Sequence, residues 1–278
     1  MAHLEDAQGR SAREPDDAGL MSRSRPVKLP WERWLPPIIL LLVLLVWEVG
    51  GRAGFISSLF FPAPTIIARS LMEMIASGAL WIDLRATLSR LCLGLGIGGG
   101  LGLLLGLMMG WSQRLRIVVD PFVAAVHPIP KITILPLIMI VLGIGESSKI
   151  ALVAIATFFP MLINTMAGVR QIRPIHFEVA QNYGASPHHV LTHVVLPGSL
   201  PLILTGARLA LNTALVLTIA VELLTAQEGL GATVWLAWET LRTEELYAVL
   251  LVVAVMGISF NAGLQYLTRR WVPWRVER

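Results

Sequence analysis

The chain has 278 residues, of which 55% are hydrophobic and 14% charged, with a formal net charge of +4. This composition places it in the membrane class as one membrane domain and excludes a disordered, charge-rich chain. The positive charge does not indicate nucleic acid, because the basic residues sit near the ends of apolar runs and form no basic face interleaved with aromatics. A single cysteine, Cys92, excludes an internal disulfide and a Cys-rich metal site.

Residues 1–30 mix Arg10, Arg13, Arg23, Arg25 and Lys28 with acidic residues, Ser and Pro, and hold too few apolar groups for a core, so a disordered cytoplasmic tail is expected. They do not read as a cleavable signal peptide. One membrane domain is expected over 31–278. A first span is predicted over Pro36–Val49, with Trp31, Trp34 and Trp47 as interfacial aromatics. After Phe61-Pro62-Ala63-Pro64, residues Thr65–Ser77 place Ile66, Ile67, Leu71, Met74 and Ile75 on one helical side, which predicts a helix along the outer surface.

Span two is predicted over Ala86–Gly110. Its glycines 94, 98, 102, 106 and 110 recur every fourth residue and expose one stripe of backbone for close helix packing. The same run contains Gly94-x-Gly96-x-x-Gly99, but no strand precedes it and no βαβ unit surrounds it, so it is not a dinucleotide site. Likewise Gly145-Glu146-Ser147-Ser148-Lys149 lacks the spacing of a phosphate loop.

Span three is expected from Asp120-Pro121 to Leu142, kinked or broken by Pro128, Pro130 and Pro136, each of which removes a backbone donor. Span four runs over Ile150–Val169. A lever follows over 174–201: Gly184 suits a left-handed helix cap, and Ser186 with Pro187 suits the start of a second short helix. Span five covers Leu202–Leu224. An outer segment with Gly229-Leu230-Gly231 leads to span six over Leu246–Leu267. Basic residues concentrate in the tail, at Arg114 and Arg116, at Arg170 and Arg173, and at Arg269, Arg270, Arg275 and Arg278. Arg52, Arg69, Arg85, Arg90, Lys149 and Arg242 fall in outer segments. The bias predicts about six spans with both termini inside.

A route through lipid-facing helices needs polar groups, and the candidates in spans three to five are His127, Lys131, Thr133, Asn164, Asn212, Thr213 and Glu222, with Thr157, Thr165 and Thr218. The Thr and Asn side chains also suit bonds between helices. Lys131 either attracts an anion or snorkels to the interface. Glu222 suits a structural hydrogen bond and a gate contact equally. His189 and His193 share a helical face beside His188, but no carboxylate or cysteine completes a metal set.

The lever also carries a resemblance. Glu178-Val179-Ala180, Gly184 and Val194-Val195-Leu196-Pro197 fit the Glu-Ala-Ala, Gly, Ile-x-Leu-Pro pattern in all spacings, with Val179 and Val194 as departures. On these residues the chain resembles the membrane-spanning permease of a bacterial ABC importer that works with an external binding protein. The segments Pro128–Leu137 and Gly143–Lys149, Phe61–Pro64 and the Gly-rich span two resemble the nitrate, sulfonate, taurine and bicarbonate branch, from about residue 35 onward. The resemblance implies an all-α type I importer permease fold in a bacterial inner membrane. It further implies pairing of two permease copies, two cytoplasmic ATPases that use ATP and Mg, and a solute-binding protein outside; this chain itself binds no cofactor and does no covalent chemistry. It carries the coupling role to Glu178 and Gly184, with Ala180, Ala185, Ser186, Leu196 and Pro197 shaping the loop. The cargo it implies is a small anion such as nitrate, bicarbonate, taurine or an alkanesulfonate; a neutral or cationic vitamin or pyrimidine precursor is the alternative. An ion-gradient transporter would instead show internal repeats with ionisable residues at midplane, and no such repeat is present.

Overall fold

The computed structural model describes residues 34–225 and 227–273. The expected tail over 1–30, Trp31, Arg275 and Arg278 lie outside them. The chain divides into two units at Val46/Trp47. The described part of the first, 34–46, is a turn and the start of helix α1 (Leu35–Arg52), whose stretch Ile38–Trp47 is apolar throughout and free of Pro and Gly.

The second unit is helical, with no strand among the described residues. Its elements are α2 (Pro64–Ser77), α3 (Ala79–Trp111), α4 (Gln113–Val126), a 3₁₀ turn (Lys131–Ile134), α5 (Leu135–Leu142), α6 (Glu146–Arg170), α7 (Pro174–Asn182), α8 (Pro187–Val190), a π turn (Leu191–Val195), α9 (Leu196–Thr225), α10 (Leu230–Glu239) and α11 (Thr243–Trp271). Five helices are long and apolar enough to cross a membrane, and the bent pair α4 with the 3₁₀ turn and α5 brings the number to six.

The glycine stripe does what its spacing predicts. Helix α6 lies between α3 and α9, and each stripe glycine of α3 meets it: a Cβ on Gly94 would stand 2.6 Å from Val153 Cβ, one on Gly106 2.7 Å from the Leu162 carbonyl, and one on Gly110 2.5 Å from Val169 Cβ. On the other side of α6, Gly206 of α9 approaches Asn164 and the Pro160 carbonyl. In lipid, where apolar burial supplies little drive between helices, such backbone approach supplies the packing. The Thr157 hydroxyl donates to the Gly94 carbonyl at 3.2 Å, while the buried hydroxyls of Thr165 and Thr218 find no partner among the described residues.

Several expected boundaries move. Span two begins at Ala79, because Gly78 with φ +83° turns α2 directly into α3 and makes the two helices one connected corner. Span three is not one kinked helix: α4 begins at Gln113, capped by Ser112, and the chain then turns through 89° at His127–Pro130. Pro121 sits inside α4, while Pro136 lies in the first turn of α5, where its missing N–H costs nothing. The second helix of the lever is not separate from span five either. From Pro187 the chain stays helical through the π turn and on to Thr225, so Leu196 and Pro197 belong to the transmembrane helix rather than to a loop.

Candidate functional site: the coupling loop and the buried charge cluster

The loop at one end of the bundle is built from local rules. Helix α7 ends in a complete Schellman cap: Gly184 takes φ +70°, its N–H donates to the Gln181 carbonyl at 2.9 Å, and the Ala185 N–H reaches the Ala180 carbonyl at 2.9 Å. Ala180 and Ala185 pack together in a small core with Phe177, Val190 and Val195 over Leu107 of α3 and Val169 of α6. Trp111 meets Phe177 edge to face at 6.4 Å. Ser186 then caps α8, its hydroxyl accepting from the His189 N–H at 3.3 Å. The expected loop residues are thus brought together: alanines and caps root the loop, while Glu178 is exposed on α7 with no hydrogen bond or ion pair among the described residues. An open groove of about 890 Å³ runs between α7 and α9, lined by His176, Val179, Tyr183, His189, His193 and Pro197. His189 and His193 stack at 3.9 Å, and no group of three metal-ligating side chains occurs among the described residues.

The expected pathway residues do not converge on one site. His127, Lys131 and Thr133 lie at the α4–α5 break. All three Nζ hydrogens of Lys131 are spent on carbonyls of Val126, His127 and Ile129, at 3.0, 2.8 and 2.7 Å, and the ammonium stands 4.6 Å from the centre of the Phe159 ring. It caps the carbonyls that the break leaves free. Lys131→Met is expected to cost about 1–3 kcal/mol through those unsatisfied carbonyls, read as a lower unfolding midpoint of the purified protein. Asn164 donates to the Pro160 carbonyl at 2.8 Å, and Asn212 accepts from Asn261 of α11 at 3.1 Å. Thr213 returns its hydroxyl to the Leu209 carbonyl.

Glu222 lies at the opposite end of the bundle and is completely buried. It is one member of a charge cluster that sequence reading missed. Arg90, 3% exposed, donates to Glu222 at 2.6 Å, to both oxygens of Glu146 at 2.6 and 2.8 Å, and to the Glu228 carbonyl at 2.7 Å. Lys149 adds a bond to Glu146 at 2.8 Å. Glu222 also accepts from the Thr87 hydroxyl at 2.9 Å and the Gly231 N–H at 3.0 Å, while Asp83 accepts from the Gly229 N–H and the Thr233 hydroxyl. Helices α3, α6 and α9 and the start of α10 are thereby joined through charge-assisted bonds. The available signal was a basic residue well inside an apolar helix, which demands a partner.

Five apolar helices and one bent pair, with a rooted loop between the fourth and fifth spans, match the layout expected of an importer permease. The chain spans 72% of its length on a chain of the inward-facing MetNI methionine ABC transporter, covering 97% of that chain with a TM-score of 0.58 at 19% identity. A chain of an amino acid ABC transporter gives 0.56 at 18%. The chain belongs to the family of binding-protein-dependent transport system inner membrane components, which matches residues 98–274. It is 37% identical over 243 residues to the taurine transport system permease protein TauC of Escherichia coli, covering 86% of this chain and 88% of TauC. It is 33% identical to SsuC of Bacillus subtilis, named for aliphatic sulfonates transport, over 87% of this chain and 88% of SsuC. It is 28% identical to the formylaminopyrimidine transport permease protein ThiX of Halalkalibacterium halodurans, over 91% and 100%. The chain is a multi-pass ABC importer permease subunit and not an enzyme; ATP hydrolysis belongs to partner ATPases.

Proposed function

We propose that this permease forms the pathway for a small sulfonate-class anion, taurine or an alkanesulfonate, and works as a homodimer with two ATPases on its coupling loops and a solute-binding protein on the other face. The loop end and both termini then face the cytoplasm, and the cluster around Arg90 faces outward across a bacterial inner membrane. ATP and Mg serve the ATPases, and this chain holds no cofactor. ATP binding draws the ATPases together, the loops follow, and the population shifts between inward-open and outward-open states.

The observation that carries the coupling reading is Glu178. A glutamate exposed on a short helix whose opposite side is rooted by Phe177 and Ala180 bonds to no side chain among the described residues, which supports a partner in another chain. Because α8 continues without interruption into α9, displacement of the loop reaches the membrane directly. The taurine and sulfonate relatives, at 37% and 33% identity, favour the sulfonate cargo over the pyrimidine precursor.

Glu178→Ala is expected to change stability by less than about 0.5 kcal/mol, as a surface substitution, and to reduce binding-protein-stimulated ATPase activity and taurine uptake together, by about tenfold, the equivalent of one charged hydrogen bond. Gly184→Val places a branched residue in left-handed backbone, costing about 1–2 kcal/mol, and is expected to impair coupling too. Reconstituted importer with its ATPases and binding protein supplies both measurements. Unchanged stimulation in Glu178→Ala removes the coupling role, and uptake of formylaminopyrimidine without taurine removes the sulfonate cargo.

A further inference from the structure

Two cations among the described residues are set more than three turns inside a helix, with about 3.6 residues to each turn. Arg90 is spent on two carboxylates. Arg208 of α9 has no carboxylate within ion-pair distance and no side-chain hydrogen bond among the described residues, and it is half-buried. At a rise of about 1.5 Å per residue its Cα lies roughly 18 Å from Leu196 and 26 Å from Thr225, so any slab about 30 Å thick drawn across α9 contains it. A guanidinium at such depth requires an anion, a carbonyl or water.

Two polar residues, Thr205 and Asn212, flank it one turn away on α9, beside the exposed apolar Leu209 and Val216. Asn212, exposed and one turn further on, lies on the same side as Arg208, away from the buried stripe Ile203, Ala210, Ala214 and Val221 that packs inward. Asn261 of α11 extends the strip by its bond to Asn212. Lys131, the other candidate for attracting an anion, has no hydrogen left to give.

We propose that Arg208, with Asn212 beside it, is the point on the pathway that holds the negative group of the cargo as it crosses. The inference rests on the sulfonate reading of the cargo. A guanidinium fork bonds two oxygens of a sulfonate at once, and the neutral Asn212–Asn261 pair offers further hydrogen bonds without trapping the anion by a second charge.

The test places a reporter next to the arginine and needs no transport. In the assembled importer with Cys92→Ser and Asn212→Cys, modification is followed with an anionic sulfonatoethyl methanethiosulfonate and its cationic trimethylammonium counterpart. The anionic reagent is expected to react at least fivefold faster relative to the cationic one than with a free thiol, with taurine slowing it. That preference is expected to disappear in Arg208→Gln and persist in Arg208→Lys. With Asn212 intact, Arg208→Gln is expected to lower taurine uptake about tenfold and Arg208→Lys to restore most of it. A thiol unreactive toward both water-borne reagents, or a preference unaltered by Arg208→Gln, overturns the proposal and assigns Arg208 to lipid phosphates or to packing. A wild-type importer that takes up no sulfonate overturns the cargo reading, while an Arg208-dependent preference in the same protein still supports an anion route at this residue.

Discussion

Arg90→Met is expected to destabilise the permease by about 3–5 kcal/mol, because it removes one partner from a buried charge cluster and leaves the others uncompensated. Glu222, completely buried, would then face Glu146 with Lys149 as the remaining cation of the cluster among the described residues, and Lys149 bonds only to Glu146. The loss should exceed that of Glu146→Gln, since the Glu146 side chain is 55% exposed and water replaces part of what it loses. Replacing both ends of the buried pair, Arg90→Met with Glu222→Met, is expected to recover part of the loss, because an apolar pair avoids the cost of holding charges in a dry site. A double-mutant cycle on unfolding midpoints of the purified protein measures that coupling. Equal midpoints for wild type and Arg90→Met would show that the cluster contributes nothing. The same cluster fixes the turn into α10: a Cβ on Gly229, whose φ is +120°, would lie 2.6 Å from Arg90 Nη1 and from Glu222 Cδ.

Gly98→Val is expected to cost about 3 kcal/mol or more and to lower the amount of permease recovered from membranes, because the side chain would overlap the Ala154 carbonyl and the Thr157 hydroxyl. A carbonyl within α6 cannot swing aside as a side chain does, so α3 and α6 must separate along their shared length. Gly100 is the control. A Cβ there meets nothing within 4 Å, and Gly100→Ala is expected to leave stability equal or raised by up to about 1 kcal/mol through helix propensity. Comparable losses at both positions would mean that general helix flexibility, rather than backbone approach at the stripe, is what these glycines supply.

The parts legible in the sequence are those whose physics is local. The Schellman cap at Gly184 closes within five residues, the Ser186 cap within three, and the four-residue glycine period defines a stripe on one helix without knowledge of the partner. The charge cluster was not legible in the same way, since Arg90 meets Glu146 and Glu222 across 56 and 132 residues of chain. With Arg90 and Lys149 counted as outer charges, spacing could pair only Lys149 with Glu146, three residues apart on one helix, and could not bring Arg90 to either glutamate. The break in span three was visible in its prolines, but its 89° turn and the use of Lys131 as a cap on freed carbonyls depend on Phe159 and on the path of α5.

By itself, then, the amino-acid sequence determined the membrane class, the approximate spans and the capped loop after span four, because hydropathy, caps and turn residues act over a few positions of one segment. Only the tertiary structure decided that the second half of the loop is already span five, that Glu222 is buried in a charge cluster, and that Arg208 rather than Lys131 has no polar partner among the described residues. Each of these depends on which helix lies beside which, and distant pairing is set by packing that no single segment encodes.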